Sequence, residues 1–299
     1  MKRDFSRLLT EQRNPRTGRI DALSVEEIVD VINREDASIA DAVGSEKARI
    51  ARAVTLIVDR LRKGGRMFFV GAGTSGRLGV LEAAELPPTF DTPPTLAQAI
   101  MAGGPECVWA SKEGSEDDEA DGARQLRIRA VHSLDAVIGI TASGVTPFVL
   151  GALGEAQRKG AARILVSCNR RGVPRDAADV HIAPIVGPEV ITGSTRLRAG
   201  TATKMVLNLL TVASMIRLGK VYENLMVDLQ TRSDKLVARS KRIVSVLGGV
   251  PEADATRALK KAGGSAKVAI VMLRRKVPRE QAVRLLEENG GMLRGALES

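Results

Sequence analysis

The feature that most constrains the fold is a short apolar run that leads through a turn rich in Gly, Ser and Thr into a helical pattern. Residues 66–70 form such a run, residues 71–77 form the turn, and a helix is predicted over 78–86, ending before Pro87. A buried strand followed at once by a turn and a helix is the repeating unit of α/β proteins. The chain is therefore predicted to contain a sheet covered by helices.

The same order returns about 70 residues further along the chain. Residues 135–140 are predicted to form a buried strand and 141–146 a turn, after which Pro147 opens the next helix. Further strands are predicted over 163–167 and 180–186. Strands that alternate with helices indicate an α/β fold, a doubly wound parallel sheet with helices on both faces. Ligands of such sheets lie beyond the carboxyl ends of the strands, where both turns are placed.

The segments outside the sheet are predicted to be helical. Ser24 and Glu27 have the spacing of a capping box, which indicates a helix N-terminus. Other helices are predicted over 36–63, 195–218 and 223–247, and, after a linker at 248–251, over 252–261, 265–274 and 279–288. These patterns predict three domains: an N-terminal helical segment (1–50), the sheet domain with its long helices (51–247) and a small three-helix domain (248–299).

The net charge of +10 comes mostly from the end of the chain. Residues 241–299 hold 12 Lys or Arg and 6 Asp or Glu, and they contain no aromatic residue on which a nucleic-acid base could stack. Because these basic residues alternate with apolar ones at helical spacing, they are interpreted as solvated helix faces. No apolar stretch has the length of a membrane span or the pattern of an export signal. The protein is expected to be cytoplasmic, with no nucleic-acid or membrane partner.

Metal and redox chemistry find little support in the sequence. The two cysteines, Cys107 and Cys168, and the two histidines, His132 and His181, show no metal-ligand spacing, so no metal is expected. The cysteines are interpreted as buried, reduced thiols.

The glycine-rich turn matches G-x-G-x-x-G through Gly71, Gly73 and Gly76, which by itself is a weak signal. A dinucleotide site would need a carboxylate about 20 residues later to hold the ribose, and residues 93–101 contain none. The turn also lacks the Lys-Ser or Lys-Thr pair of nucleotide triphosphate loops. No cofactor is therefore expected.

Three turns carry hydroxyl groups at positions where helices begin, and together they favour a small phosphorylated ligand. Backbone N–H groups and hydroxyls at a helix N-terminus suit a phosphate monoester, although any single turn could be an ordinary helix cap. The residues predicted to bind the ligand are Gly73, Thr74, Ser75 and Gly76 in the first turn, Ser143, Gly144 and Thr146 in the second, and Ser194 and Thr195 in the third.

Two glutamates are candidates for proton transfer. Glu85 lies near the end of the helix after the first turn, and Glu116 lies in an acidic stretch that could equally be a helix N-terminus. With no metal and no Cys–His pair expected, proton transfer by carboxylates is the chemistry left to this chain.

Taken together, these residues resemble the N-acetylmuramic acid 6-phosphate etherase family of the sugar isomerase (SIS) domain group. The resemblance covers nearly the whole chain, and its most specific parts are residues 71–86, 113–118, 187–196 and 219–228. The end of the chain is similar to the family's small ubiquitin-associated-like domain. Residues 187–196 also resemble the glucokinase regulatory protein, which binds sugar phosphate without this chemistry.

The resemblance implies an amino-sugar phosphate as the ligand and elimination of D-lactate from it, followed by addition of water. It implies that Glu85 protonates the departing lactate and that Glu116 is the base. Glu189 and Lys204 complete the expected substrate-binding set. Three positions depart from the family pattern: Val145 stands where Arg is frequent, Arg198 where Lys is usual, and Leu86 where Cys is common. A non-catalytic sugar-phosphate sensor and an aldose–ketose isomerase remain alternative functions.

A homodimer is also expected. Nine residues of straight helix separate Gly76 from Glu85, which corresponds to roughly 13 Å at about 1.5 Å per residue. A hexose phosphate held at Gly76 is too short to reach that far. The hypothesis is therefore a site shared between two subunits, in which Glu85 or a loop of one chain reaches the ligand held by the other.

Overall fold

A five-stranded parallel sheet forms the centre of the computed structural model, which describes residues 8–228 and 234–298. The strands are β1 (Met67–Gly71), β2 (Ala97–Met101), β3 (Ala136–Ile140), β4 (Ala162–Val166) and β5 (Val180–Ile182), in the order β2-β1-β3-β4-β5. Every residue of β1, β3 and β4 is buried, as expected for a sheet covered on both faces. The predicted α/β fold is confirmed.

The strand register places the turns side by side. Gly71 at the end of β1 lies opposite Ile140 at the end of β3, and opposite Met101 at the end of β2. The order of the strands reverses between β1 and β3, and in doubly wound sheets ligands bind at such a switch point. The two predicted turns therefore leave the sheet at the place where a ligand site is expected.

The helices are α1 (Val25–Ala37), α2 (Ile39–Gly44), α3 (Lys47–Arg62), α4 (Gly73–Phe90), α5 (Glu119–Ile128), α6 (Pro147–Arg158), α7 (Arg198–Arg217), α8 (Asp234–Gly248), α9 (Glu252–Lys261), α10 (Ala266–Arg275), α11 (Arg279–Glu288) and α12 (Leu293–Glu298). Two short strands, β6 (Val221–Tyr222) and β7 (Leu225–Met226), form an antiparallel pair.

The contacts divide the chain into two compact units. The first contains the described residues up to Ala83 together with Thr95–Thr211, and so includes the whole parallel sheet. The second contains Ala84–Pro94 and the described residues from Val212 onward, with a core formed by apolar side chains of α8 to α12. The three-domain division expected from the sequence stays a prediction.

Helix α4 differs from its prediction at both ends. It begins at Gly73, where the amide of Gly76 donates to the carbonyl of Ala72 at 3.1 Å, and it continues through two prolines. A proline removes one hydrogen bond from a helix without forcing the helix to end. The amide of Asp91 still donates to the carbonyl of Pro87 at 3.1 Å, and the helix ends at Phe90, before Asp91 with a φ of +49°.

The capping box of Ser24 and Glu27 is confirmed, but the helix predicted over 36–63 is wrong. The chain forms the end of α1, then α2 and α3, with breaks at Ser38 and after Gly44. The hydroxyls of Ser38 and Ser45 donate to carbonyls of the preceding turn at 3.1 and 2.7 Å. Such bonds compete with the regular helical pattern and accompany both breaks.

The C-terminal helices α9, α10 and α11 are confirmed, and α12 was not predicted. The helix predicted over 223–247 is wrong in its first part, because the β6–β7 pair lies there; residues 229–233 fall outside the described residues. Helix α7 is confirmed with slightly shorter bounds. Of the helices described, α7 alone is long and apolar enough to cross a membrane, with a mean hydropathy of 1.3. Half of this apolar stretch is buried, as in the core helix of a soluble protein, so its length and composition are weak evidence for a membrane span.

Candidate functional site

A cavity of about 450 Å³ opens where β1 and β3 end. All three predicted turns contribute to its wall, together with one of the two candidate glutamates. The predicted residues that line it are Gly73, Thr74, Ser75, Ser143, Thr146, Thr195 and Glu116. Residues far apart in the sequence thus meet at the switch point of the sheet. The cavity has the volume of a small-molecule site.

The first turn places two hydroxyls at the N-terminus of α4. Thr74 and Ser75 lie in the first turn of the helix, where backbone N–H groups have no acceptor within the helix. Gly73 begins the helix with a φ of +53°, a conformation that favours glycine. Amides, hydroxyls and the positive end of the helix dipole therefore converge on the cavity, which suits an anion.

Gly76 does not line the cavity, and its role in the structure is packing. A Cβ atom at this position would lie 2.6 Å from the carbonyl oxygen of Gly71. The absence of a side chain therefore lets α4 pack directly against the end of β1. Its contact with a ligand stays a prediction.

The second turn is organised by Thr141, which the sequence analysis did not single out. The Thr141 hydroxyl lies 2.7 Å from the Thr146 hydroxyl and 3.2 Å from the Ser143 hydroxyl, and it accepts the amide of Gly144 at 3.2 Å. Gly144 has a φ of +80° and does not line the cavity. These bonds fix the two predicted hydroxyls relative to each other. A threonine directly after a buried strand was the available sequence signal.

The third turn is held by the N-terminal segment of the chain. The amide of Gly193 donates to the carbonyl of Thr10 at 3.1 Å, and the Thr17 hydroxyl donates to the carbonyl of Val190 at 2.8 Å. Gly193 and Thr195 line the cavity, whereas Ser194 does not.

Three further polar residues, Thr10, Glu11 and Asp117, line the cavity and were missed as candidates. Thr10 and Glu11 come from the N-terminal segment, and Asp117 follows Glu116. Sequence spacing gives no signal for the first two, because the contact between residues 10 and 193 depends on the fold.

Glu189 supports the start of α7. It is buried, and its two carboxylate oxygens accept the amides of Arg198 at 2.8 Å and Ala199 at 2.9 Å. Burial raises the pKa of this carboxyl, against the opposing effect of these hydrogen bonds. Glu189 does not line the cavity, and its role as a substrate ligand stays a prediction.

Arg198 is a structural residue in this fold. Its guanidinium donates to Glu35 at 3.0 Å, to the carbonyl of Pro188 at 3.1 Å and to the Ser38 hydroxyl at 2.8 Å. It therefore joins the N-terminal helices to the loop before α7.

The side chain of Lys204 interacts with other side chains of the same chain. Its ammonium group forms an ion pair with Glu82 on α4 and donates to the amide oxygen of Asn208 at 2.8 Å. The second carboxylate oxygen of Glu82 accepts the Thr211 hydroxyl at 2.7 Å, and Glu82 is buried. Lys204 thus joins α7 to α4 outside the cavity lining, and a contact with substrate stays a prediction.

The two candidate glutamates lie in different environments. Glu116 is exposed and lines the cavity beside the hydroxyl turns, in a short turn that precedes α5. Glu85 is exposed on α4, in the part of the helix that belongs to the second unit, and is not among the residues that line the cavity. Of the two candidate glutamates, Glu116 is therefore the one that lines the predicted phosphate site.

Comparison with known families places part of the chain in the predicted domain group. Residues 49–157 match the family described as the glucokinase regulatory protein N-terminal SIS domain. The match includes the first two turns and Glu116. The resemblance to the SIS domain group is thereby confirmed.

Three relatives over nearly the full length carry the description N-acetylmuramic acid 6-phosphate etherase. The relative from Symbiobacterium thermophilum is 53% identical over 270 residues, which cover 90% of each chain. That from Mycolicibacterium smegmatis is 47% identical and covers 98% of this chain and 99% of its own. That from Clostridium beijerinckii is 44% identical over 295 residues, 99% of this chain and 97% of its own.

Proposed function

The chain belongs to the N-acetylmuramic acid 6-phosphate etherase family, and from this premise we propose that it is a carbon–oxygen lyase that converts N-acetylmuramic acid 6-phosphate and water to N-acetylglucosamine 6-phosphate and D-lactate. The observation that carries the proposal is the cavity in which the three hydroxyl turns and Glu116 meet. A phosphate site beside a carboxylate is what this reaction requires.

The hydroxyl turns bind the 6-phosphate. Thr74 and Ser75 offer hydroxyls and helix-terminal amides, and Ser143 and Thr146 are oriented by their bonds to Thr141. Charge-assisted hydrogen bonds from these neutral donors hold the dianion in place. Fixing one end of the open-chain sugar in this way positions its reacting carbons near Glu116.

Proton transfer completes the reaction. The aldehyde of the open-chain sugar acidifies the proton on carbon 2, and Glu116 removes it. The bond from carbon 3 to the ether oxygen breaks as Glu85 protonates that oxygen, which leaves as the hydroxyl of D-lactate. Water then adds to carbon 3 of the resulting double bond, and carbon 2 regains a proton. The net change is the addition of one water molecule.

The acid is supplied by a second copy of the chain. Nine residues of α4 separate Gly76 from Glu85, roughly 13 Å at about 1.5 Å per residue, so a homodimer in which Glu85 of one subunit serves the site of the other accounts for both carboxylates. A cytoplasmic location accompanies this proposal, supported by two buried cysteines that are both free thiols.

The first experiment measures D-lactate released from N-acetylmuramic acid 6-phosphate. Glu85→Gln and Glu116→Gln are expected to lower the rate about 10²- to 10⁴-fold, the usual contribution of a general acid or base, while binding of N-acetylglucosamine 6-phosphate by calorimetry persists. Glu252→Gln, on the exposed start of α9, is the matched control and keeps full activity. Wild-type binding without lactate would indicate a sensor, and aldose–ketose conversion would indicate an isomerase.

The second experiment tests the shared site. Mixed dimers of Thr74→Val and Glu85→Gln chains contain one site with both an intact phosphate turn and an intact acid. They are expected to regain up to half of the activity per dimer. If mixing restores none, each subunit works alone and the shared site is wrong.

A further inference from the structure

We propose that a second cavity, adjoining the phosphate site, binds the lactyl carboxylate of the substrate through Lys112; this rests on the function proposed above. The second cavity has a volume of about 430 Å³ and shares Ala72, Gly73, Glu116 and Asp117 with the first. A ligand that is held in the first cavity and reaches Glu116 can therefore extend directly into the second.

The chemistry of the substrate requires such an extension. The phosphate is attached to carbon 6, at one end of the open chain, and the lactyl group branches from the oxygen of carbon 3, directly beside carbon 2. With the phosphate at the hydroxyl turns and carbon 2 at Glu116, the lactyl group therefore leaves the sugar chain beside Glu116. The second cavity is the space that opens there.

Two cations line the second cavity. Arg77 on α4 is half-buried and donates to the carbonyl of Val108 at 2.8 Å and to that of Cys107 at 2.9 Å. Lys112 is exposed, and its carbonyl accepts the Ser115 hydroxyl at 2.8 Å, which fixes its backbone in the loop that carries Glu116. Within residues 8–228 and 234–298, neither cation takes part in an ion pair.

The second cavity contains carboxylates as well as cations. Glu113, Glu116 and Asp117 also line it, so an incoming lactyl carboxylate would meet like charges next to the base. Arg77 is held by two backbone carbonyls, whereas the ammonium group of Lys112 makes no hydrogen bond in the described chain and is able to move to the ligand. Lys112 therefore selects for the acid and Arg77 supports it with a fixed positive charge.

The test compares two substrates and three variants. The substrates are N-acetylmuramic acid 6-phosphate and its analogue in which the lactyl carboxylate is a primary amide. The variants are Lys112→Met, Lys112→Arg and Lys159→Met; the last removes one exposed Lys at the end of α6 and is a charge-matched control. Kinetics and calorimetric dissociation constants are measured for each pair.

Lys112→Met is expected to lower kcat/KM for the acid about tenfold, mainly through KM, and to change that for the amide less than about twofold. Lys112→Arg retains most of the preference, and Lys159→Met behaves as the wild type. Equal effects of Lys112→Met on both substrates, or no effect on either, would overturn the proposal. If the wild type released no lactate, the proposed function would fail, whereas the binding constants would still decide whether Lys112 distinguishes acid from amide.

Discussion

Gly76 offers the sharpest test of how the phosphate turn is built, because replacing it with alanine adds one methyl group where α4 packs against the end of β1. The new Cβ atom would lie 2.6 Å from the carbonyl oxygen of Gly71 and 2.9 Å from its carbonyl carbon. These are backbone atoms at the end of a fully buried strand, so they cannot rotate away. Ordinary contact begins at 3.4 Å, and α4 must therefore move by about 1 Å.

Overpacking of this kind costs about 1–3 kcal/mol, and the upper part of that range is expected where backbone atoms collide. Gly154→Ala is the matched control. Gly154 is exposed in the interior of α6, and a Cβ atom there meets nothing within 4 Å. Because alanine is the better helix former, this variant is expected to gain about 0.5–1 kcal/mol. The same substitution, Gly to Ala, is thus predicted to lower the free energy of unfolding at position 76 and to raise it at position 154.

The assay is urea unfolding followed by far-ultraviolet circular dichroism, with the free energy of unfolding taken from the linear extrapolation. Calorimetry with N-acetylglucosamine 6-phosphate gives the second readout, since a shift of α4 also displaces the hydroxyls of Thr74 and Ser75. Gly76→Ala is expected to bind at least tenfold more weakly. A Gly76→Ala protein as stable as the Gly154→Ala protein would refute the packing argument.

Three further outcomes are expected. Hydrogen bonds from Arg16 lower the pKa of Glu35 to about 2, so Glu35→Gln is expected to cost about 3 kcal/mol at neutral pH. This difference, measured by urea unfolding, is complete above the ordinary pKa of 4.5 and should disappear as the pH falls toward 2; a pH-independent difference would contradict it. Burial raises the pKa of Cys168 to about 12, so in a variant whose other cysteine is serine this thiol should react with Ellman's reagent at pH 8 only after unfolding, and rapid reaction of the folded protein would contradict its burial. Lys204→Met leaves the buried carboxylate of Glu82 without its cation and is expected to cost about 3 kcal/mol of stability, whereas a higher KM at unchanged stability would instead support the predicted substrate contact.

The parts of the fold that the sequence predicts well are those specified by local patterns. Strand β3 and its turn are predictable because an unbroken apolar run gives way at once to Thr, Ser and Gly, and Pro147 then opens α6. Strand β2 cannot be predicted in this way, because Gln98 interrupts its apolar residues and two of its five residues are only half-buried at the edge of the sheet. Burial on one side, rather than composition, makes that segment a strand.

The residues of the site also include some that local sequence patterns predict and some that they do not. Hydroxyls that begin a helix can be recognised from a few neighbouring residues, and five of the predicted ones meet in the cavity. Pairings between distant residues cannot be recognised in this way. Lys204 and Glu82 lie 122 positions apart, and only the packing of α7 near α4 shows that this lysine already has a buried partner. Glu11 reaches the cavity because the N-terminal segment bonds to the loop around Gly193.

The division of charge between the two cavities follows from the proposed chemistry. Among the described residues that line the first cavity, the only ionisable side chains are the carboxylates of Glu11, Glu116 and Asp117, and hydroxyls and amides are left to bind the phosphate. A cation placed among them would hold a nearby carboxylate in its charged form and weaken it as a base. Neutral donors bind the phosphate without that effect. The cations lie instead in the second cavity, where the anion to be held is the carboxylate of the leaving group.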